Sequence, residues 1–90
     1  MTVIPPPNSV ELGRVEDYYA QIGVIALTLL APVSVGDPLH IMGHTTNQEM
    51  TVDSIQINHQ AVTVAQAKDA VGIKVSARVR RGDHVFRIIG

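Results

Sequence analysis

Val35-Gly36-Asp37-Pro38-Leu39-His40-Ile41 and Arg81-Gly82-Asp83-His84-Val85-Phe86-Arg87-Ile88 share a Gly-Asp pair, one further residue and then alternating apolar positions. Glycine reaches positive φ at little steric cost, and an Asp carboxylate accepts hydrogen bonds from neighbouring backbone amides. Each pair therefore reads as a tight turn that launches a strand. Lys68-Asp69-Ala70-Val71-Gly72-Ile73-Lys74-Val75 reads as a looser version of the same device. Alternation of period two after a turn marks a strand with one buried face, so the repeated device predicts an all-β domain.

Composition points the same way. The chain holds 13 Val and 9 Ile against 5 Leu, and adds 6 Thr. Branching at Cβ restricts side-chain rotation in helices and packs well on a pleated sheet. An apolar fraction of 46% with 17% charged residues excludes a disordered chain, and the lack of cysteine excludes a disulfide or thiolate-metal scaffold. At 90 residues there is room for one domain. Residues 1–9, with Pro5-Pro6-Pro7, read as an extended tail, and residues 10–90 as a single β-domain. The longest apolar stretch, residues 24–31, is far shorter than the about twenty residues a membrane helix needs. No signal-like segment opens the chain, so the expected location is the cytoplasm, with no membrane partner.

Working outward from the turns, Val10 to Tyr18 reads as a first strand with a bulge at Gly13. Gln21-Ile22-Gly23 connects it tightly to Val24–Leu30, where Ile25, Leu27 and Leu29 share one face and Ala26, Thr28 and Leu30 the other. Residues 42–47 form a polar loop, and 49–59 a long strand with a bulge near Asp53-Ser54. Six short strands without an amphipathic helix predict a small barrel or sandwich, closure being the way to remove exposed edges.

Few residues point to chemistry. His40, His44, His59 and His84 lack the paired spacing of a zinc site, so no metal is expected. No nucleophile elbow or phosphate loop is present, and no enzymatic activity or cofactor is expected. Charge is more informative. Residues 1–60 hold Arg14 against Glu11, Glu16, Asp17, Asp37, Glu49 and Asp53, a net of −5, while residues 61–90 carry +4. Opposite-sign strands could simply pair. Alternatively Lys74, Arg78, Arg80 and Arg81 form a basic strip that contacts a nucleic-acid backbone, a role that needs no aromatic platform. With only Tyr18, Tyr19 and Phe86 as aromatics, base stacking is not expected.

The succession Gly13-x-Val15, Ile22-Gly23-Val24, Val35-Gly36-Asp37, Ile41-x-Gly43-His44-Thr45-Thr46, Val52-x-Ser54-Ile55-Gln56, Val71-Gly72-Ile73 and Arg81-Gly82-Asp83 resembles a known pattern. It resembles the second, β-barrel domain of translational GTPases such as elongation factor Tu. It is also similar to small translation elongation factor-like proteins built from this barrel alone. The resemblance implies a closed six-stranded Greek-key-type barrel acting as a non-catalytic binding module. Its expected partner is the backbone of rRNA or tRNA, met through Lys74, Arg78, Arg80 and Arg81, with no nucleotide bound. The alternative is a protein-interaction or self-assembly module without a nucleic-acid role. Its contact would be the apolar outer face at Ala26, Thr28 and Leu30.

Overall fold

Three turns of one geometry start three of the strands. In the computed structural model, which describes residues 3–89, the carboxylates of Asp37, Asp69 and Asp83 each accept the amide of the residue three before them. The donors are Ser34, Gln66 and Arg80, all at 2.8 Å. The Asp amides donate back to the same three residues' carbonyls at 3.1 Å. The third position of each turn has positive φ: 95° at Gly36, 78° at Lys68 and 88° at Gly82. The Lys68-Asp69 turn is thus the same turn as the other two, with a lysine where they have glycine.

The described residues form eleven short strands, β1 (Ser9–Arg14), β2 (Asp17–Tyr19), β3 (Val24–Thr28), β4 (Val33–Ser34), β5 (Pro38–Met42), β6 (Asn47–Thr51), β7 (Ile55–Ile57), β8 (Gln60–Val62), β9 (Val64–Ala65), β10 (Ala70–Lys74) and β11 (His84–Ile88). The three Asp turns lead directly into β5, β10 and β11. Pairing is antiparallel throughout. One sheet has the order β1-β11-β5-β6, a second β2-β3-β10-β7-β8, and β4 pairs with β9 alone. The protein is all-β, with no helix among the described residues.

The expected closed six-stranded barrel is not what the ladders form. They end at β1 and β6 in one sheet and at β2 and β8 in the other. The reason lies at two bends. The first strand divides at Val15-Glu16, so that β1 serves one sheet and β2 the other. Gly13 prepares this bend: the β1–β11 register slips between Glu11 and Gly13, and Gly13 takes φ 138°. A Cβ there would lie 2.9 Å from the Thr28 carbonyl oxygen, which only glycine avoids. Residues 49–59 do not form one bulged strand either. β6 and β7 are separated by Val52-Asp53-Ser54, where Val52 donates to Asp37 O and accepts from Gly36 N, and the chain changes sheet.

The two larger sheets enclose one core. Leu12, Ile25, Leu27, Leu29, Ile41 and Ile73 are all essentially inaccessible, as the alternation in Val24–Leu30 predicts. Burying each such side chain stabilises the fold by about 1.5–3 kcal/mol relative to exposure. β11 differs in burying both faces: Val85 joins this core, whereas Phe86 points away from it and is still only 1% exposed.

Candidate functional site

The four candidate basic residues do not make one free strip. Lys74 ends β10 opposite Val24 and shares a cleft of about 380 Å³ with Glu49 and Asp53. Arg78 and Arg80 are exposed in the segment before β11, where the Arg80 amide is held by Asp83 and the Arg78 carbonyl accepts from Gln48. Arg81 donates its Nε to the Glu16 carbonyl at 3.1 Å and lies 3.6 Å from the Asp17 carboxylate. Acids of the first half thus meet bases of the second half across the fold. Such exposed pairs contribute at most about 1 kcal/mol, so they record proximity more than stability.

The apolar candidates divide differently from the sequence reading. Ala26 and Thr28 lie on the outer side of β3, where Ala26 faces Gly72 and Asp17, and the Thr28 amide donates to Glu16 Oε2. Leu30 lies beyond the end of β3 and is exposed. Val3 of the N-terminal tail lies in a separate cleft, beside Arg14 and His84. The outer side of the second sheet instead holds a groove of about 330 Å³, rimmed by Tyr19, Ile22, Gln56 and His59. Its floor is shallow at Ala26 and Gly72, where small side chains meet across the ladder.

A third cleft, of about 300 Å³, collects Arg14, Gly43, His44, Arg81, Asp83 and His84. Four separate segments build it: the N-terminal tail at Val3, the end of β1, the β5–β6 loop, and the turn that runs into β11. Arg14 Nε donates to the Gly82 carbonyl at 3.1 Å. His84 Nδ1 lies 2.7 Å from Glu11 Oε2, and its ring stacks on Phe86 at 6.0 Å. Gly43 lets the β5–β6 loop close over Asp83, since a Cβ there would fall 1.9 Å from the Asp83 carboxylate. Arg14 and His44 carry no sequence signal of this meeting, because they stand 30 positions apart, one at the end of β1 and the other in the β5–β6 loop.

No hydroxyl is hydrogen-bonded to the His84–Glu11 pair among the described residues. His40 Nε2 meets Asn47 Oδ1 within its own hairpin at 2.5 Å. No group of three or more His, Cys, Asp or Glu side chains able to hold a metal converges among the described residues. No helix is long and apolar enough to cross a membrane among them.

No family model matches the chain. Over 80 residues, 88% of its length, it is 38% identical to a protein of Methanocaldococcus jannaschii named as an uncharacterized protease. The chain spans about a fifth of the length of that curated relative, 20%. Its fold matches the crystal structure of the C-terminal domain of a Geobacillus thermoleovorans protein classed as a U32 peptidase. The TM-score is 0.78 at 16% identity, over 84% of this chain and 89% of that one. The selenomethionine variant of the same domain superposes with a TM-score of 0.79, again at 16% identity, over 84% of this chain and 96% of that one.

These relationships overturn the resemblance to translation factors and the RNA- or ribosome-binding role drawn from it, and they do not favour the protein-interaction or self-assembly alternative. The motifs that carried the resemblance have structural causes. Gly36-Asp37 and Gly82-Asp83 make turns, and Gly43 to Thr46 closes a hairpin through a Gly43 N to Thr46 O bond of 2.8 Å. Any small β-domain with the same turns would show them.

Proposed function

We propose that this chain is an accessory β-domain of a peptidase system, serving a catalytic unit that lies outside residues 3–89 and supplying no catalytic residue itself. The observation that carries this reading is the 38% identity over 80 residues to one fifth of a protein named as a protease. Likeness in fold to the C-terminal domain of a U32 peptidase supports it, as a separable module at the end of a longer enzyme. The clefts support a binding role better than a chemical one: they are shallow, His84 is engaged by Glu11, and no hydroxyl is hydrogen-bonded to that pair among the described residues.

The test is a graft. The segment of the Methanocaldococcus jannaschii protease that matches this chain is deleted, and separately replaced by residues 1–90. Proteolysis of labelled casein should fall on deletion and return in the graft, while the isolated chain cleaves nothing. Turnover by the isolated chain, or full activity after deletion, would contradict the accessory role.

A further inference from the structure

We propose that the cleft between Arg14, His44 and Arg81 is a carboxylate site that takes the C-terminal end of a peptide. The identity of the ligand as a peptide rests on the peptidase reading, whereas the charge of the site does not.

Two guanidinium groups flank Gly82 in this cleft. Arg14 is anchored through Nε to the Gly82 carbonyl at 3.1 Å, and Nη2 lies on the same side, 3.9 Å from the position a Gly82 Cβ would occupy. Its terminal nitrogens meet no acceptor among the described residues. An arginine fixed through Nε presents its remaining N–H groups as a planar fork, which matches a carboxylate in bidentate fashion. Arg81 is held from the other side by the Glu16 carbonyl.

The acids nearby have partners of their own, and Asp17 lies 3.6 Å from the Nε of Arg81. Asp83 is 5% exposed and its Oδ2 accepts the Arg80 amide, so it builds the turn beneath the cleft. Glu11 is bound to His84 at 2.7 Å. His44, exposed on the β5–β6 loop, adds a ring that makes no hydrogen bond among the described residues.

Size and lining narrow the ligand. About 300 Å³ lies at the small end of ligand sites, enough for one residue and its carboxylate. Val3 supplies an apolar wall beside the charges. A peptide terminus offers that combination, an α-carboxylate with a side chain next to it. Inorganic phosphate offers the charge alone.

The site is tested by amide NMR titration of the full chain with acetyl-Ala-Ala-Leu, its C-terminally amidated twin, an amidated twin ending in Glu, and inorganic phosphate. The free acid should move the amides of Gly43, Gly82 and His84 and saturate. The amidated peptide should bind at least about tenfold more weakly, the loss expected for a charge-assisted pair of hydrogen bonds. Arg14→Ala should weaken the free acid similarly. If that variant disturbs the Gly82 turn, His44→Ala, which removes a loop side chain only, should still reduce affinity. Equal binding of acid and amide, or shifts confined to other regions, would overturn the site. Tighter binding by the Glu-ending amide, or by phosphate, would overturn the assignment to a peptide terminus. Carboxylate binding that survives a failed graft would leave this site standing and remove the peptidase reading. A successful graft without carboxylate binding would do the reverse.

Discussion

Lys68 holds φ 78° at the position where the two equivalent turns have Gly36 and Gly82. A side chain in the left-handed region costs about 1–2 kcal/mol, and glycine's larger unfolded-state freedom returns part of that gain. Lys68→Gly should therefore raise stability by about 0.5–1 kcal/mol, read as a higher urea midpoint at unchanged slope. Gly36→Ala is the mirror experiment. No atom lies within 4 Å of the added Cβ, so its expected cost of about 1 kcal/mol is purely conformational. Gly43→Ala should cost more, about 2–3 kcal/mol, because the new methyl expels the Asp83 carboxylate from the turn it caps. The Gly-Asp turns are legible in the sequence since the turn is closed within four residues. Lys68 misleads because lysine is not a positive-φ signal, although its Asp69 does the same work.

β11 is the element whose two buried faces need explaining. Phe86 faces away from the main core, stacks on His84 and is nonetheless 1% exposed. The proline leader runs along this strand: Val3 lines the cleft beside His84, and the Asn8 carbonyl accepts from Ile89 at the far end. Five polyproline steps cover about 15 Å, close to the about 13 Å of a five-residue strand. Phe86→Ala should destabilise by about 3–5 kcal/mol, measured by denaturant unfolding. Deleting residues 1–7 should reproduce part of that loss, about 1.5–3 kcal/mol, and speed amide exchange in β11. Equal stability with and without the leader would show that another segment shields Phe86. The leader's stiffness is readable from Pro5-Pro6-Pro7, but its destination is not, since no periodic pattern ties it to β11. The break between β6 and β7 was hidden for a related reason. Val52 is buried at the corner, so the apolar count looked like a strand with one residue too many.

At the scale of the molecule, the bent first strand couples both sheets. β1 pairs with β11, β2 pairs with β3, and Leu30 N donates to Leu12 O across the bend at 2.8 Å. Breaking one sheet therefore loosens the other, and a single unfolding transition should be seen by circular dichroism and by tyrosine fluorescence alike. Pairings as distant as Ser9 with Ile88 place folding in the millisecond-to-second range typical of all-β domains, which stopped-flow refolding would measure. The sequence by itself determined the β class, the three strand-launching turns, and the buried face of Val24–Leu30. Those features depend on residues a few positions apart, whose sterics and hydrogen bonds act locally. Only the tertiary structure decided that the sheets stay unclosed and that Lys74 and Arg81 sit among acids. It alone gathered Arg14, His44 and Arg81 around Gly82. Such meetings follow from bends and strand order, and these are fixed by packing between distant segments rather than by any local pattern.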